Sequence, residues 1–111
     1  MDKPKSNLDF KLMSLTYKVR DFFRPRMNLL KDVGIKPGFC VLDYGCGPGS
    51  YIMPLAELVG NSGEIYALDI HPLAIKKVQS IASNNGLRNV KTIQSDCKTG
   101  LLNNSMDVVL L

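Results

Sequence analysis

Apolar residues fall in two rhythms along this chain of 111 residues. Up to position 38 they recur every three or four residues. Leu8, Leu12, Leu15, Val19 and Phe22 form one stripe of a helix, with Ser6 or Asn7 as its N-cap. Pro25 is expected to break that helix and open a second, with Leu29, Leu30 and Val33 as its apolar side and Gly34 as its C-cap. From Phe39 the rhythm changes to short continuous apolar runs, the pattern of strands buried on both faces of a parallel sheet. Phe39 to Asp43, Glu64 to Leu68 (ending in Asp69), Val90 to Gln94 and Met106 to Leu111 are the four strands expected. Between them lie two helices, Ser50 to Val59, with a mild kink expected at Pro54, and one opened by Pro72. Ala74, Val78, Ile81 and Ala82 are the expected buried stripe of the second, and Asn84, Asn85 and Gly86 its stop.

Strand, helix, strand, helix, strand and a fourth strand specify an α/β sheet built by crossover connections. The expected division is a helical segment over 1–38, lying over the sheet or beside its ligand crevice, and an α/β unit over 39–111. The charge follows the same division. Of 14 Lys and Arg against 10 Asp and Glu, the excess of base lies in the first 38 residues, as the solvated side of an amphipathic helix. Such an arm can track phosphates, but the aromatic and basic interleaving used in base stacking is missing, which argues against nucleic acid as partner.

The apolar runs are far shorter than the ~20 residues a membrane helix needs, and no apolar stretch follows the polar start as a secretory signal would. Three cysteines, Cys40, Cys46 and Cys97, include no C-x-x-C pair; they fit reduced thiols in a cytoplasm rather than a disulfide framework or a zinc site, and no metal is expected.

The chemistry is concentrated in Asp43-Tyr44-Gly45-Cys46-Gly47-Pro48-Gly49-Ser50. Glycines directly after a buried strand let the backbone approach a ligand at the carboxyl edge of the sheet. Asp69 stands at the end of the next strand, about twenty residues on, where a carboxylate accepts both hydroxyls of a ribose. Its alternative role is a helix N-cap ahead of Pro72. A dinucleotide fingerprint would place its third glycine at position 50, where this chain has Ser50, so a ligand with a ribose but no diphosphate fits better. Asp107 reads as a structural carboxylate at the start of its strand and His71 as a turn histidine; Tyr17, Tyr44 and Tyr51 read as core residues that could line the crevice.

Asp43 to Gly49 resembles the first motif of the class I S-adenosylmethionine-dependent methyltransferases, D/E-x-G-x-G-x-G. Ala67-Leu68-Asp69-Ile70 is similar to the second motif of that family, Gln94-Ser95-Asp96-Cys97 to the third, and Met106 to Leu111 to its fourth strand. The wording is most similar to the branch of ubiquinone and menaquinone biosynthesis methyltransferases. The resemblance implies a Rossmann-like, mostly parallel sheet with strands in the order 3-2-1-4, S-adenosylmethionine as cofactor, and methyl transfer to a small-molecule acceptor. It implies that Gly45, Cys46 and Gly47 pass under the methionine part of the cofactor, that Asp43 orients it through its amine or a water, and that Asp69 holds the ribose. Ile70 would lie against the adenine, Asp96 would accept from the adenine amine, Cys97 would offer a backbone contact, and Leu110 and Leu111 would sit near the methionine end.

The family commonly has seven strands, and this sequence ends with the fourth. The expectation is therefore the cofactor-binding half of a longer enzyme, with its acceptor-side residues, and any catalytic ones, outside residues 1–111. Two alternatives are a non-catalytic cofactor-binding or interaction module and a fragment of a nicotinamide-dependent oxidoreductase. The fourth strand would form an apolar sheet edge through which two copies could pair.

Overall fold

A computed structural model describes residues 22–95 and 105–111. The expected stripe from Leu8 to Val19, Tyr17, Asp96 and Cys97 lie outside the described residues. Four parallel strands, β1 (Cys40–Tyr44), β2 (Glu64–Asp69), β3 (Val90–Gln94) and β4 (Val108–Leu110), form one sheet in the order β3-β2-β1-β4. That is the Rossmann-like order the motifs imply. β1 and β2, at the centre, are buried along most of their length, whereas β3 and β4 are only partly covered.

Three helices are described. α1 covers residues 22–33, α2 is Ile52–Val59 and α3 is Pro72–Asn84. α2 packs on β2, and α3 on both β2 and β3. Val41 and Ile65 face each other across β1 and β2 and join Leu30, Ile52, Leu55 and Val78 in the main core. Leu30, Ile52, Leu55 and Ile65 are fully enclosed, so truncating any of them to alanine would cost about 2–5 kcal/mol.

Three expectations change. Pro25 does not break a helix, since α1 runs unbroken from 22 to 33. The N–H that proline lacks would have bonded to the carbonyl of residue 21, so no hydrogen bond within 22–33 is lost. In α3 it is Ile75, with Val78 and Ala82, that is buried; Ala74 and Ile81 are half-covered at the edge of the stripe. β4 is shorter than its apolar run, and Met106 and Asp107 precede it. Asp107 has the structural role expected of it. Its carboxylate accepts the Cys40 N–H at 2.7 Å, and its own N–H donates to the Cys40 carbonyl at 2.7 Å, which fastens the start of β4 to the start of β1.

Candidate functional site

The carboxyl ends of β1 and β2 lie side by side, and each carries an aspartate on the face that packs against the helices. Register sets this arrangement. Asp43 pairs with Ala67, and Asp69 stands two residues farther along the same face of β2.

The two carboxylates have opposite surroundings. Asp43 is 6% exposed, and its Oδ2 is buried with no hydrogen-bond partner among the described residues. Burial, and then the neighbouring charge of Asp69, push its pKa up to about 6. Asp69 is 8% exposed but well supplied with donors. The His71 N–H donates to Oδ1 at 2.9 Å and the Gly47 N–H to Oδ2 at 3.0 Å. These two bonds, that from His71 foremost, hold its pKa below the usual carboxylate value. His71 is the N-cap residue of α3, which has no side-chain cap bond, so Asp69 is not the N-cap of its alternative reading; the bond from His71 fixes the turn that enters the helix.

The glycine loop is pre-shaped by the same strand end. The N–H groups of Gly45 and Cys46 both donate to the Leu68 carbonyl, at 2.8 and 2.9 Å. With the Gly47 bond to Asp69, three successive amides are tied to β2 and are not free to hold an anion. Gly45 and Gly47 have φ of +72° and +54°, and a Cβ at either would meet nothing within 4 Å. Their backbone therefore borders open space, where a ligand can approach closely. Gly49 differs: a Cβ there would lie 2.9 Å from the Ile81 side chain and 3.1 Å from Val78, so this glycine serves the packing of α3. The single feature D-x-G-x-G-x-G thus contains two kinds of glycine.

A cleft of about 310 Å3 opens at this edge. Asp43, Tyr44 and Gly45 to Pro48 form its floor, Ser50 and Tyr51 its side, and Leu110 and Leu111 its far wall. The Cys46 thiol is buried; its enclosure, with Asp43 and then Asp69 near, pushes its pKa up to about 11, so it packs as a small apolar group. Ile70 is 57% exposed beside Asp69 and does not line the cleft. Leu29, Leu30 and Val33 of α1 close the cleft from above. The hydrophobic pattern marked these three as one side of a helix expected over the sheet or beside the crevice; tertiary packing decides that this side docks at the crevice. Among the described residues no group of His, Cys, Asp and Glu could hold a metal ion, and no helix is long and apolar enough to cross a membrane.

A parallel sheet in this order, with an acidic residue at the end of each central strand and an open glycine turn between them, defines a domain of the S-adenosylmethionine-dependent methyltransferase class. Residues 35–111 match the family model of a methyltransferase domain, and the chain belongs to that family. It is 38% identical over 93 residues to the aklanonic acid methyltransferase DauC of a Streptomyces species, a match covering 81% of this chain and 42% of that protein. It is 28% identical over 108 residues to the demethylmenaquinone methyltransferase of Geobacillus kaustophilus, covering 96% of this chain and 46% of the relative. Among solved structures, a SAM dependent methyltransferase from Aquifex aeolicus superposes with a TM-score of 0.75 at 31% identity, over 89% of this chain and 53% of that one. Other matching relatives are ribosomal RNA methyltransferases. The chain spans about half the length of these relatives or less.

Proposed function

We propose that this chain is the cofactor-binding half of an S-adenosylmethionine-dependent methyltransferase that acts on a small-molecule acceptor. The observation that carries this reading is the pair of aspartates at adjacent strand ends, one with a buried oxygen that has no partner among the described residues and one held by backbone donors beside an open glycine turn. The residues present fit the cofactor. Asp43 suits its ammonium group and lines the cleft with Gly45, Cys46 and Gly47, of which the two glycines border open space; Asp69, beside the cleft rather than lining it, suits the two hydroxyls of a ribose. Ile70 offers the adenine an apolar face, and Leu110 and Leu111 flank the methionine end. The motif resemblance extends the set to Asp96 for the adenine amine and Cys97 for a backbone contact. When bound, S-adenosylmethionine supplies a methyl group activated on a positively charged sulfur. The chain's part is to bind, orient and exclude water, and no residue is assigned as acid or base.

The division into a helical segment over 1–38 and a cofactor-binding unit over 39–111 belongs to this reading. So does a cytoplasmic location, which the free thiols of Cys40 and Cys46 favour. β4 pairs with β1 alone among the described strands, and Val109 is 48% and Leu111 99% exposed. Two copies are expected to associate through this edge; a clean monomer in sedimentation at high concentration argues against it.

Calorimetric titration with S-adenosylhomocysteine, with NADH as control and Asp69→Ala as second protein, tests the reading. Binding that depends on Asp69 supports it. Binding of NADH instead returns the nicotinamide alternative. A folded protein that binds neither ligand is left as an interaction module.

A further inference from the structure

A second cavity, of about 380 Å3, adjoins the cleft and shares Pro48 and Ser50 with it, and the cofactor reading makes no use of it. Phe22 at the start of α1, Met53 of α2 and Ile81 of α3 line it, and Lys77 is the one charged residue among its described walls. Phe22 and Met53 are exposed, and Ile81 is only half-covered. An open apolar groove of this kind marks a place where another apolar surface docks.

Three observations point to what covers it. The first is where the chain enters. Residues 1–21, outside the described residues, join α1 at Phe22, which is itself a wall of the groove. The second is the side of α1 that is turned to the body. From the fully buried Leu30, steps of four, three and four residues lead back through Arg26 and Phe23, both half-buried, to Val19. Further steps of four, three and four reach Leu15, Leu12 and Leu8. Such steps keep to one side of a helix, so the apolar stripe of residues 8–19 continues the side that carries Leu30. The third is Pro25, which is exposed and stands two residues, and so about half a turn, round from Phe23. Its ring crowds the carbonyl of residue 21 and opens a helix on that side. A helix opened on its solvent side bends toward the body, which tips the turns before Phe22 onto the groove.

We propose that the chain's own segment 8–19 docks in this groove as a continuation of α1, with Val19 and Leu15 packed against Met53 and Ile81. In helical geometry Val19 stands about 4.5 Å and Leu15 about 10.5 Å before Phe22 along the axis, so these two are the members of the stripe within reach. Joined to the groove at Phe22, the segment meets it at a higher effective concentration than a separate partner does. The inference does not depend on the cofactor reading.

The test is made on the unaltered chain with isotope-labelled methyl groups of Met, Val and Leu. Nuclear Overhauser cross-peaks are expected from the Met53 methyl to those of Val19 and Leu15. They are expected to survive dilution of the labelled chain into an excess of unlabelled chain. Cross-peaks that vanish on dilution put a second copy's segment in the groove and overturn the proposal, as does their absence from both samples. Urea denaturation of Val19→Ala, Met53→Ala and the double variant gives an independent reading. The two changes are expected to be coupled by at least about twofold in the unfolding equilibrium constant, because side chains in contact are not additive. Additive changes overturn the proposal as well.

Discussion

The ends of β1 and β2 carry the same residue type, on the same face of neighbouring parallel strands, and the protein treats the two side chains in opposite ways. Asp69 is supplied with backbone donors from the glycine loop and from the start of α3, and is held ionised. Asp43 is enclosed without a donor to one of its oxygens among the described residues, and its pKa is pushed up to about 6. Asp69 is thus part of the scaffold before any ligand arrives. Asp43 has no such donor to Oδ2 among the described residues, and on the proposed reading a ligand entering the cleft completes it. The difference teaches that one strand edge can contain two carboxylates in opposite states, so that stability should respond to their loss with opposite signs while affinity falls with either.

The largest effect is expected at Asp69. Asp69→Ala leaves the Gly47 and His71 amides without their acceptor, which should cost about 1–3 kcal/mol in urea denaturation. It should also lower the affinity for S-adenosylhomocysteine by about a hundredfold, the order expected when hydrogen bonds to a charged group are lost. A protein of unchanged stability would break the contrast.

Asp43→Asn should do the reverse to stability. It removes a charge that the fold buries at a cost, so at pH 7.5 the variant is expected to match or exceed the unaltered chain in urea, while its affinity for S-adenosylhomocysteine falls about tenfold. Destabilisation by this near-isosteric change would show that the buried oxygen has a partner after all.

The pH dependence sharpens the same comparison. The Asp43 pKa is raised on folding, from 3.8 to about 6, so the folded state holds this proton more tightly than the unfolded chain. Its contribution to stability is therefore full below pH 3.8 and is lost as pH rises toward about 6, on the order of 3 kcal/mol at most. For Asp69, whose pKa is lowered, stability is present above 3.8 and is lost as pH falls below it. Urea titrations from pH 4 to 7 should show the first slope, and Asp43→Asn should abolish it. Affinity for a ligand ammonium should run the other way, rising as Asp43 ionises through about pH 6. The smallest effect belongs to His71, whose main contribution is its backbone N–H: His71→Ala should change stability by less than about 0.5 kcal/mol and leave the affinity unchanged.

Much of this was legible in the sequence, and the part that was not has physical reasons. β1 and β2 appear as apolar runs because central parallel strands are covered on both faces. The positions of Asp43, Gly45, Gly47 and Asp69 follow from strand ends and turns, which are local properties. The unequal states of the two aspartates do not, because donors to Asp69 come from a loop and a helix that meet only in the folded chain. The same holds for the α1 wall over the cleft, for the choice of Ile75 over Ala74, and for Gly49, which serves α3 rather than a ligand.

The pair of hydrogen bonds between Asp107 and Cys40 bears on the order in which the molecule assembles. It closes 67 residues of chain, whereas Cys40 meets Glu64 and Ile65 meets Val90 over far shorter stretches. Closing the longest loop costs the most chain entropy before any contact rewards it. β4 should therefore dock last, onto a β1-β2-β3 sheet already made, and with it Leu110 and Leu111 bring the far wall of the cleft. The floor of the site would exist during synthesis before its wall does.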